Sequence, residues 1–92
     1  MDQISRIRFK NLLDRMLGFC EDANDENEKA ILLRIGVITL NKLRVHADVD
    51  SMLGQDVRDL NRQISSCDRN QLVKFMWEEV VELLNQYRGA LS

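Results

Sequence analysis

The stretch Ala30-Ile31-Leu32-Leu33-Arg34-Ile35-Gly36-Val37-Ile38-Thr39-Leu40 leaves a helix no polar face. A surface helix carries one apolar stripe against one polar side, and a helix apolar all round has to be surrounded. With 92 residues the chain has few other elements to surround it. The segment therefore predicts a central helix whose burial is completed by a second copy or by another protein. At eleven residues it falls short of the roughly 20 needed to cross a bilayer.

A chain of this length makes one domain, residues 1–92, and buries roughly 60–65% of its unfolded surface. The hydrophobic share of 45% suits a globular protein, and the absence of proline suits consecutive helices. The net charge of −2 argues against a general polyanion binder. Cys20 and Cys67 show no zinc or redox spacing and are expected as reduced packing residues. No apolar leader is evident in MDQISRIRFK, so a cytoplasmic protein is expected.

Four helices follow from the 3.6-residue periodicity. The first, over about 5–20, aligns Phe9, Leu12, Leu13, Met16, Leu17 and Cys20, with Ile7 on the opposite side. The second, over about 26–46, is capped by Asn24 or Asp25 and ends in Lys42, Arg44 and His46, which suit the helix dipole. A loop with capping residues is expected over 47–51. The third, over about 51–65, aligns Leu53, Val57, Leu60 and Ile64. The fourth starts at 66–68, with Asp68 and Gln71 as a capping box, and runs to Arg88 with Gly89 as the terminating residue. Its core face is Val73, Met76, Trp77, Val80, Leu83, Leu84 and Tyr87. Phe75 and Val81 fall outside that face.

The expected fold is therefore all-α, a small antiparallel four-helix bundle that forms a homodimer. No cofactor or metal is expected. The acidic run Asp22–Glu28 fails as a calcium loop, having Asn27 at the sixth position and Leu33 at the twelfth. His46, the single histidine, lacks neighbours for a zinc site or a catalytic pair. The expected function is non-enzymatic: a regulator, adaptor or inhibitor working through protein contacts. Ile7, Phe75 and Val81 are its expected contacts, with Glu79 and Glu82 rimming Phe75. The alternative is a dimeric nucleic-acid binder using Arg6, Arg8, Lys10 and Arg15 on the first helix.

Two family resemblances are slight. The chain is similar to chorismate mutases in size and helical content, without their arginine and lysine pattern. The stretch Leu53–Arg62 with Val73–Trp77 faintly resembles the N-terminal helical domain of the transcription elongation factor TFIIS, a bundle that binds short peptides. That family is basic beside the tryptophan, where this chain has Glu78 and Glu79. Peptide binding is therefore not carried over.

Overall fold

The computed structural model describes residues 1–47 and 51–92, so the capping residues expected at Asp48 and Asp50 lie outside the described residues. Four helices are present: α1 (Gln3–Asp22), α2 (Glu26–His46), α3 (Ser51–Ser66) and α4 (Leu72–Leu91). A short 3-10 turn, Arg69–Gln71, leads into α4. Among the described residues there is no strand.

Local chemistry accounts for most helix starts. The Asp2 carboxylate accepts from the Ser5 amide, and the Asp25 carboxylate accepts from the Glu28 amide. Each satisfies an N–H that the first turn leaves without a partner. The bond from Ser5 also holds the Asp2 carboxyl below its ordinary range. The Asp68 carboxylate accepts from the Asn70 backbone amide, and the Gln71 amide donates to the Asp68 carbonyl to close the 3-10 turn. The fourth helix thus begins a turn later than the capping-box reading expected.

It also ends later. Gly89 does not terminate α4; the helix continues to Leu91, and no glycine has positive φ. The reason is tertiary. Leu91 is buried in the core, and Arg6 reaches across from α1 to the last carbonyls. Its Nε donates to Leu91 O at 3.0 Å and its Nη2 to Ala90 O at 2.9 Å. These carbonyls would otherwise lack helical partners.

The helices α2 and α4 each touch all three others, whereas α1 and α3 do not meet. The α-carbon envelope measures 38 × 27 × 15 Å. Two helices packed 8–10 Å apart span about 13–15 Å between their outer α-carbons, so the short dimension is α2 on α4. The molecule is a slab with α1 and α3 at its edges. The core draws Leu13, Met16 and Leu17 from α1, Leu33, Leu40 and Leu43 from α2, Leu53, Val57 and Leu60 from α3, and Val80, Leu83, Leu84, Tyr87 and Leu91 from α4.

The centre of the slab is thin because of Gly36. A Cβ there would stand 2.8 Å from Val80 Cγ1 and 3.4 Å from Leu84 Cδ1. Glycine lets α2 approach α4 where any side chain would push it away. Among the described residues Arg44 Nε is buried without a hydrogen-bond partner, while other polar groups at the seams are satisfied within the chain. Thr39 Oγ1 donates to Ile35 O at 2.9 Å and faces Met16 Sδ at 3.6 Å. Between α2 and α3 the Asn41 and Asn61 amides donate to each other, at 3.2 and 2.7 Å.

Two core assignments, Leu12 and Val81, need correcting. Leu12 is exposed, because it lies on the flank of α1 beside α2, where no further helix covers it. Phe9, Ile64, Met76 and Trp77 are half-buried and packed against the core, on the faces expected of them, and Val73 is half-buried. Val81, expected outside the core face, is half-buried and packed against the core, on the edge of α4 that meets α1. Cys20 is buried, Cys67 half-buried, and both are free thiols. Burial raises the Cys20 pKa.

Candidate interaction surface

A slab two helices thick has two broad faces, one belonging to α2 and one to α4. The inner side of α2 is spent on the core through Leu33, Gly36, Leu40 and Leu43. Its outer side carries Ile31, Ile35 and Ile38, and the adjoining flank of α1 adds Leu12 and Phe19. These five side chains are between 42% and 64% exposed. Phe19 and Ile31 share one open hollow of about 380 Å³ with Leu32, Asp22 and Glu28, so the two helices form a continuous surface there. Further along, the Thr39–Met16 contact joins the same two helices.

The patch amounts to about 400–500 Å² if each of the five large side chains shows roughly half its area, which is the size of the largest apolar patch on a typical monomer, often a functional one. Its charges are separated by end. Asp22, Asp25, Glu26 and Glu28 are exposed where α1 turns into α2. Arg8, Lys42 and His46 are exposed towards the other end, with Arg15 between.

The opposite face, on α4, is polar apart from Phe75, which is 57% exposed. The Lys74 ammonium lies 5.7 Å from the Phe75 ring centre, a cation–π approach. Glu79 and Glu82 are exposed and line a groove of about 290 Å³ between α3 and α4, together with Asp56 and Asp59. Asp59 is engaged by Arg62 at 3.6 Å and by the Gln55 amide at 3.1 Å. Among the described residues no cluster of three or more His, Cys, Asp and Glu side chains is arranged to hold a metal.

The five contact residues expected from sequence do not share one surface. Phe75, Glu79 and Glu82 lie on the outer side of α4. Val81 turns towards α1 and lines a separate groove with Leu17, Cys20 and Trp77. Ile7 is exposed near the start of α1, the end that Arg6 ties to Ala90 and Leu91. It is therefore several turns of α4 away from Phe75.

The basic set is divided too. Arg6 is committed to the α4 carbonyls, Lys10 is half-buried, and Arg8 and Arg15 are exposed. Phe19 escaped the sequence reading because it lies next to the core arc on the helical wheel. The outer isoleucines were visible in the all-round apolar segment.

Comparison with family models, with curated proteins and with solved structures finds no match. Among the described residues no helix is long and apolar enough to cross a membrane.

Proposed function

We propose that this chain is a non-enzymatic interaction module, an adaptor, regulator or inhibitor, that docks another protein chain on the outer face of α1 and α2. The bundle is read as antiparallel, which the short α1–α2 turn and the pairing of Arg6 with Leu91 support. The observation that carries the docking proposal is the outer row Ile31, Ile35 and Ile38 on a helix whose inner side is already buried. Exposed apolar surface of this extent, rimmed by charge, is characteristic of protein-binding sites.

The test is an aspartate at Ile35, which is exposed in the isolated chain and tolerates the charge there. The native chain should either associate in solution or bind an apolar fluorescent probe, and Ile35→Asp should abolish that behaviour with circular dichroism unchanged. A native chain that does neither sinks the reading. Phe75→Ala serves as the control on the other face: it should alter neither behaviour and should cost less than about 1 kcal/mol of stability, well below the 3–5 kcal/mol of a buried phenylalanine.

A further inference from the structure

Resting on that reading of the α1–α2 face, we propose that its occupant is a second copy of this chain. The copies pack face to face about a two-fold axis that lies in the interface and crosses the helices at right angles near Ile35. The warrant is the order of charges along the face. On α2, Glu28 and Lys42 each lie seven residues from Ile35, on opposite sides. Seven residues are nearly two full turns, so all three project along one line, with the charges about 10 Å to either side of Ile35. On α1, Arg8 and Asp22 each lie seven residues from Arg15 in the same way.

A two-fold axis of this kind reverses every helix and lays it on its own copy. Glu28 then meets Lys42 of the second copy, and Lys42 meets its Glu28. Arg8 meets Asp22, and Asp22 meets Arg8. The apolar positions match under the same operation: Ile35 faces Ile35, Ile31 faces Ile38, and Leu12 faces Phe19. Arg15, on the same line and exposed on the outer slope of α1, comes opposite Arg15 of the second copy at the watered rim, where water and salt screen the repulsion.

The other face-to-face arrangement, with the axis along the helices, lays α1 on α2 of the second copy, so that Glu28 meets Asp22 and Lys42 meets Arg8, and it is repelled at both ends. The surface is thus self-complementary in one orientation, as a closed two-fold pair requires. A face two helices wide and about 30 Å long offers about 550 Å² per copy, or about 1,100 Å² in all, just under the roughly 1,200 Å² at which stable interfaces begin. An interface of this size belongs to the weak, reversible class.

Sedimentation equilibrium of the full chain from about 1 to 200 µM tests this. The native chain is expected to be a dimer at the upper end, and Ile35→Asp a monomer. Lys42→Glu and Glu28→Lys should each raise the dimer Kd about tenfold, since each converts two attractions into two repulsions. The double variant carries the swapped pair in both copies and should return to within about threefold of the native value.

A native chain that stays monomeric throughout, a dimer indifferent to Ile35→Asp, or a double variant no better than the single ones would overturn the proposal. An apolar fluorescent probe separates the two failures. A monomer that binds the probe through Ile35 keeps the docking face and rejects the second copy. A monomer that does not bind it rejects both.

Discussion

The helices α2 and α3 lie side by side in one fold and solve opposite problems. The inward row of α3, Leu53, Val57 and Leu60, is buried, while Gln55, Asp56, Arg58, Arg62 and Gln63 face water. The inward side of α2 is equally apolar, but its outward side repeats the pattern with Ile31, Ile35, Ile38 and Val45. Intrachain packing accounts for the large apolar residues of α3 apart from exposed Met52, and for only half of those of α2. Burying a branched aliphatic side chain is worth about 1.5–3 kcal/mol, so each half-exposed isoleucine on α2 leaves about 1 kcal/mol unrealised in the lone chain. The amphipathicity of a helix thus reports what covers it, and α2 carries more apolar surface than the lone chain covers.

The sharpest way to break this comparison is to truncate both sides of α2. Leu40 is fully buried, and Leu40→Ala should cost about 2–5 kcal/mol in urea unfolding at dilute concentration. Ile35→Ala under the same conditions should cost under about 1 kcal/mol. Comparable losses at the two positions would mean that the outer face is already covered within one chain.

A smaller effect is expected at the glycines. Gly36→Ala places a methyl against the stiff Val80 side chain; overpacking costs about 1–3 kcal/mol and helix propensity returns up to about 1 kcal/mol. A net loss near 1 kcal/mol should appear in the urea midpoint. Gly18, on α1 with nothing near its would-be Cβ, should respond in the opposite sense, Gly18→Ala gaining about 0.5–1 kcal/mol.

The smallest expected effect concerns the thiols. Burial holds Cys20 protonated in the folded chain, whereas the unfolded chain ionises it at lower pH. Stability should therefore fall slightly as pH rises through the alkaline thiol range, and Cys20→Ala should remove that component. A thiol reagent at neutral pH should label half-buried Cys67 first and reach Cys20 at the rate of unfolding.

The bounds of α2 were legible in the sequence because they rest on local chemistry: Asp25 caps the start and no breaker interrupts the run before His46. The apolar outer side of that helix was legible as well, in the run from Ala30 to Leu40. What failed depended on neighbours. Gly89 reads as a stop, and only the burial of Leu91 and the reach of Arg6 carry α4 past it. Leu12 and Val81 both sit at the margins of their core arcs. Leu12 faces the uncovered flank beside α2, and Val81 faces α1. A single helical wheel cannot tell such margins apart, because the distinction lies in which side the next helix occupies. The candidate surface was half legible: the isoleucines announce themselves, whereas Phe19 joins them only once α1 is laid against α2.

The hydrogen bonds from Arg6 to Ala90 and Leu91 also change how the connectivity is seen. Each helix touches the next in sequence, and α4 returns to touch α1. In space the four helices form a closed circuit. Three of its junctions are covalent, and the fourth is a guanidinium holding two carbonyl groups.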